Sequence, residues 1–144
     1  MERNLYLIQS GAVRAYYNSE EEEHDIRFGY QGSVINSISS FINEIPSTLS
    51  VQAIRKTKAL VLDKDSYMKF IMSSNDNMKM HLVVMEQLVD SMLEREIDLL
   101  TSSPKDRYDR VSKRSPQLFQ HIPLKYIASY LRMTPETLSR LRKS

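Results

Sequence analysis

The stretch that decides the reading of this chain is Leu124-Lys-Tyr-Ile-Ala-Ser-Tyr-Leu131, Arg132-Met133-Thr134, Pro135-Glu-Thr-Leu-Ser-Arg-Leu-Arg142. It predicts two short helices joined by a tight turn. Ile127, Ala128 and Leu131 fall on one helical face, and Ala128 is small enough for a second helix to cross closely. Thr134 suits an N-cap, and Pro135 suits the first helical position, where its missing N–H costs nothing. Leu138 and Leu141 then face inward, leaving Glu136, Ser139, Arg140 and Lys143 on the outer face. A short helix that presents a carboxylate, hydroxyls and cations, braced by a partner helix, is what a helix-turn-helix places in a DNA major groove. The plainer alternative is a helical hairpin with a solvated charged face.

Working outward, the charge distribution separates these alternatives. Residues 1–103 carry 10 Lys/Arg and 15 Asp/Glu, a net of −5, whereas residues 104–144 carry 10 and 3, a net of +7; the sum is the chain's +2. Only the C-terminal block suits a polyanion. There are no cysteines among the 144 residues, which excludes disulfides, thiolate metal sites and cysteine-ligated iron–sulfur clusters. No apolar run reaches membrane-spanning length, and Met-Glu-Arg-Asn is unlike a signal peptide, so a cytoplasmic location is expected. No nucleophile triad, phosphate loop, dinucleotide fingerprint or metal-ligand spacing is present, which argues against an enzyme, a metal site or a cofactor.

Upstream, Ser103 and Pro104 open a basic amphipathic helix reaching Ser115, with Tyr108 and Val111 inward and Arg107, Arg110, Lys113 and Arg114 mostly outward. A loop, Ser115 to Pro123, follows, pinned by Leu118, Phe119 and Ile122. From Asp76 to Leu100, Met78, Met85, Met92 and Leu99 recur every seven residues, with Leu82 and Val89 at the intervening step. This is the seam of a parallel coiled coil and predicts a homodimer. The methionines read as adaptable packing, and His81 as a satisfied interface side chain.

The first 73 residues read as short strands: Leu5 to Ile8, Ala12 to Tyr17, Asp25 to Tyr30, Val34-Ile35, Thr48 to Ala53 and Ala59 to Asp63. Gln9-Ser10-Gly11 reads as a hairpin turn, Glu20 to Glu23 as a solvated hairpin tip, and Ala59 to Leu62 as an inner strand because it is continuously apolar. Tyr67 to Ile71 reads as a short helix. Strands at this spacing suggest a barrel or jelly roll.

Ile127-Ala128, Leu131, Thr134 and Glu136-Thr-Leu-Ser-Arg140 resemble the helix-turn-helix of the Crp/Fnr family of bacterial transcription regulators. Leu-Tyr-Leu-Ile-x-x-Gly-x-Val-Arg, Phe-Gly-Tyr-x-Gly-Ser, a helix near Phe41 and Gln52-Ala53 resemble that family's cyclic-nucleotide-binding β-roll. The resemblance implies an α+β chain in three parts: an N-terminally shortened β-roll sensor (1–73), a dimerisation helix (74–100) and a helix-turn-helix reader (101–144) lacking a complete wing. Family barrels have roughly 40 further residues ahead of this point; either the natural start lies upstream or the barrel lacks its first strands. Arg132 departs from the glycine usual in such turns.

What the resemblance implies for function is a homodimeric regulator that binds double-stranded DNA at a near-palindromic site, with RNA polymerase a further partner and a small-molecule effector of unidentified class. Glu136, Arg140 and Ser139 would read bases. Lys125, Arg132, Thr134, Thr137, Arg142 and Lys143 would meet phosphates. In the nucleotide pocket, Asn36-Ser37 stand where the family has Gly-Glu, and Ser47-Thr48 where it has Arg-Ser/Thr. Losing the guanidinium removes a charge-assisted contact of about 1.5–3 kcal/mol, so cyclic AMP should not bind. The alternative is an interaction or ligand-binding module of sensor fold that no longer reads DNA.

Overall fold

A computed structural model describes residues 1–20 and 22–143. Glu21 of the acidic run and the terminal Ser144 lie outside the described residues. The strands are β1 (Asn4–Ser10), β2 (Ala12–Asn18), β3 (Glu23–Tyr30), β4 (Val34–Ile35), β5 (Leu49–Ala53) and β6 (Lys58–Asp63), with helix α1 (Ile38–Asn43) before β5. They form two antiparallel sheets, ordered β4-β1-β6 and β3-β2-β5. Ile8, Val13, Ala15 and Ile35 are buried between them.

The expected β1–β2 hairpin does not form. β1 pairs with β4 and β6, and β2 with β3 and β5, so Gly11 is the corner where the chain changes sheets. Its φ of +92° favours glycine, and a Cβ there would lie 2.4 Å from the Lys56 carbonyl oxygen. The second correction concerns β6. Among the described residues it is an edge strand, paired to β1 alone, and Leu60, Val61 and Leu62 are exposed. A continuous apolar run says that both faces would be covered in a sheet centre, but periodicity alone does not say whether a strand lies there.

Asp63 accepts hydrogen bonds from the backbone and hydroxyl of Ser66 and so starts α2 (Lys64–Met72) earlier than the apolar pattern predicts. Ser74 caps α3 (Asn75–Leu100) by accepting from Asn77 N. The N-terminal half of α3 lies on α2, where the Tyr67 hydroxyl and His81 Nδ1 are 2.9 Å apart, so His81 is a satisfied packing residue. Along α3, Met78, Leu82, Val89, Met92 and Leu99 are exposed and Met85 is half-buried. The heptad seam is therefore uncovered in the single chain.

Ser103 and Pro104 begin α4 (Pro104–Arg114) as their residue types predict. The expected loop after it contains a helical turn, α5 (Leu118–His121), with Leu118 and Ile122 buried. The chain ends in α6 (Leu124–Tyr130) and α7 (Pro135–Lys143). Val111, Leu118, Ile122, Ile127, Ala128, Leu131 and Leu138 form one buried cluster, and Ala12 of β2 belongs to it, with Phe28, Tyr30 and Ile54 packed around. Side-chain alternation along β2 explains the sharing: Val13 and Ala15 join the cluster between the sheets, while Ala12 and Arg14 meet the helical end.

Candidate nucleic-acid interface

The turn between α6 and α7 closes as a Schellman motif. Met133 N donates to Ala128 O at 3.0 Å and Arg132 N to Ser129 O at 3.1 Å, with Arg132 in the left-handed region at φ +54°. The geometry is the one usually given to glycine, here carried by an arginine at a cost of about 1–2 kcal/mol. Thr134 Oγ1 then accepts from Thr137 N at 3.2 Å, which is the expected cap of α7. Leu138 is wholly buried beneath α7.

These constraints orient the outer face. Glu136, Arg140, Arg142 and Lys143 are exposed, and Ser139 and Thr137 are partly buried. Arg140 Nη2 donates to Thr137 Oγ1 at 3.4 Å, one turn back along the helix. Glu136 and Arg140, four residues apart, project together. Lys125 is exposed on α6, its ammonium 4.6 Å from the Tyr126 ring centroid. Lys125, Arg140, Arg142 and Lys143 enter no ion pair among the described residues.

The basic helix α4 is arranged otherwise than expected. Arg107 is buried, and Arg110 and Arg114 turn to Glu94 and the buried Asp98 of α3. Lys105 pairs with Asp109 at 2.5 Å. Three of the four arginines and lysines expected to face outward are thus occupied within the protein; among the described residues of the C-terminal block, the exposed cations without an ion pair are Lys113 on α4 and Lys125, Arg132, Arg140, Arg142 and Lys143 from α6 to α7. Arg107 follows the i, i+4 rule from Val111, a signal for an inward position that outward-charge bias overrode.

Arg132, expected at a phosphate, is exposed, and its guanidinium meets His24 Nδ1 on the β2–β3 hairpin. Around this contact the helical end docks on the roll. Asp25 N donates to Ser129 Oγ at 3.1 Å, and Arg95 of α3 donates to the carbonyls of Tyr130 and Asp25 while stacking 3.9 Å from the Tyr130 ring centroid. Burial holds the Arg95 pKa below its ordinary value. Arg14 lies between the rings of Tyr16 and Tyr126 and pairs with Asp25 and Glu23. Glu23, the last residue of the acidic run, is exposed as expected, but it begins β3 and its carboxylate pairs with Arg14. Burial raises the Asp25 carboxyl pKa, with Arg14 pulling the other way. Nothing in the local sequence marks the inward positions of Arg14 and Arg95, which depend on contacts from remote parts of the chain.

Between the sheets lies a cavity of about 360 Å³. Ile8, Val13, Ile35 and Val51 supply apolar walls; Asn36, Ser37 and Ser47 line it, and Thr48 does not. The Ser37 and Ser47 hydroxyls bond to each other at 2.7 Å. Among the described residues that line it, Glu2 is the one charged side chain.

No helix among the described residues is long and apolar enough to cross a membrane, and no group of three or more His, Cys, Asp or Glu among them could hold a metal ion. The family described as cyclic nucleotide-binding domain matches residues 1–74. No curated protein matches the chain in sequence. Among solved structures, FixK2 from Bradyrhizobium japonicum is 18% identical with a TM-score of 0.78, covering 98% of this chain and 73% of its own. A CooA variant from Carboxydothermus hydrogenoformans is 19% identical with a TM-score of 0.73, covering 99% and 67%. A structure described as a transcriptional regulator of the crp/fnr family from Eubacterium rectale is 19% identical with a TM-score of 0.63, covering 98% and 68%.

Proposed function

Because the chain belongs to the cyclic nucleotide-binding domain family and shares the fold of Crp/Fnr-type regulators, we propose that it is a DNA-binding transcription regulator, homodimeric on a near-palindromic site and unresponsive to cyclic AMP. The observation that carries this reading is α7 itself: Leu138 buried below, Glu136 and Arg140 exposed together above, with Thr134 capping and a Schellman turn setting the approach. The three-part division at 1–73, 74–100 and 101–144 is retained as a functional one, sensor, dimer helix and reader. RNA polymerase and an effector other than cyclic AMP are further proposed partners.

Within this reading Glu136 accepts from cytosine N4 and Arg140 spans guanine O6 and N7, with Ser139 beside them. Lys125, Arg132, Thr134, Thr137, Arg142 and Lys143 meet phosphates, which position the reader without carrying sequence. Arg140→Ala is expected to cost about 1–3 kcal/mol on the preferred site and to relax the choice at one base pair. Lys143→Ala should weaken all sequences alike and lower the salt slope by roughly one. Retardation assays across a salt series check both. Equal losses on specific and non-specific DNA for Arg140→Ala would overturn its base-reading role.

The cavity supports the statement about cyclic AMP, since Ser37 and Ser47 bond to each other and Glu2 adds a negative charge. Calorimetry with cyclic AMP should therefore detect no binding at micromolar concentrations. A micromolar or tighter constant would contradict it. A second reading, an interaction module that does not read DNA, draws on the docking of α6 and Arg132 against the roll. Absence of any salt-dependent DNA binding would favour that reading.

A further inference from the structure

Arg107 is a buried guanidinium that forms no ion pair among the described residues. Its partners are four backbone carbonyls. Nη1 donates to Thr101 O at 2.7 Å and Ser102 O at 3.0 Å; Nε donates to Leu131 O at 2.9 Å and Nη2 to Arg132 O at 3.2 Å. Thr101 and Ser102 follow the C-terminus of α3, and Leu131 and Arg132 follow that of α6. Both are helix ends with orphan carbonyls and negative dipole charge, so a cation is stabilised there without a carboxylate. The fork geometry of arginine lets one side chain hold both ends, which a point-charge ammonium cannot do equally well.

The two ends belong to parts with different tasks. α3 carries the uncovered heptad seam, and the Leu131–Arg132 turn sets the direction in which α7 leaves. We infer that Arg107 is a positioning residue for DNA reading, fixing the turn before α7 to the end of α3 and thereby setting the half-site spacing that a dimer accepts. This inference rests on the regulator reading and adds to it the residue that couples the seam to the reader. Spacing selectivity needs two readers held in a fixed relation; the affinity of one reader for one half-site does not.

The test uses the full chain, wild type and with Arg107→Gln or Arg107→Lys. Its probes are duplexes enriched by the wild type from a random-sequence library: the full site, one half-site alone, and full sites with one base pair added or removed at the centre. For Arg107→Gln, half-site affinity should stay unchanged, while the preference for the native spacing falls about tenfold, equivalent to 1.4 kcal/mol. Arg107→Lys should lie between it and the wild type. Should circular dichroism show the glutamine variant unfolded, the lysine variant carries the test alone, with a smaller fall in the same direction. Retained spacing preference in the folded variants would overturn the inference, as would half-site and full-site affinities falling together. A wild-type chain that enriches no duplex would instead overturn the regulator reading, and this inference with it.

Discussion

Val89→Lys is expected to leave the chain folded but monomeric, with affinity for a palindromic site reduced by about 10²-fold or more. Val89 is 55% exposed in the single chain, in the seam between Met85 and Met92, so a lysine there stays solvated and removes no core contact. In a parallel coiled coil the same position meets its counterpart across the seam, where two opposed ammonium groups lose apolar burial and repel each other. The loss in DNA affinity follows from linkage: two tethered readers gain about 10²–10⁴ over one because the second binding event is intramolecular. Light scattering gives the mass and retardation gives the affinity. A dimer that persists at micromolar concentration would assign dimerisation to another surface.

The second large effect is expected at the sheet corner. Gly11→Ala should destabilise the fold by about 2–5 kcal/mol. At φ +92° a side chain is strained by about 1–2 kcal/mol. The new Cβ would also meet Lys56 O at 2.4 Å, Thr57 Oγ1 at 2.5 Å and Thr57 Cα at 2.6 Å, two of them backbone atoms that yield only by moving the chain; overpacking of this kind adds about 1–3 kcal/mol. Thr57 Oγ1 also accepts from Ala12 N, and Ala12 lies in the cluster shared with α6 and α7, so the disturbance reaches those helices. Urea unfolding measures the change, and a midpoint equal to wild type would contradict this account of the corner.

The features legible in the sequence are those fixed within a few residues. Ser74, Ser103 and Thr134 cap helices because a side-chain oxygen meets an orphan N–H two or three residues ahead. The heptad of α3 appears as an uncovered stripe because exposure along one helix depends on its own period. Features decided by distant partners were not legible. Gln9-Ser10-Gly11 has the residues of a hairpin, but the pairing of β1 with β6 and β2 with β5 makes it a corner. Arg107 and Arg110 look like groove cations until the end of α6 and Asp98 of α3 are placed beside them. Arg132 was readable as an exception to glycine, yet its contact with His24 spans 108 positions. On α7, the resemblance points to Glu136 and Arg140, and their spacing independently places them together, because i and i+4 positions share a helix face wherever the helix lies.

The central claim, that α7 reads duplex DNA in a dimer, is tested most directly by enriching duplexes from a random-sequence library with the full chain and sequencing them. The account predicts a near-palindromic motif of two half-sites centred about 10–10.5 base pairs apart, one helical turn, with a G·C pair at the position lost on Arg140→Ala. Sequences indistinguishable from the input library would contradict it.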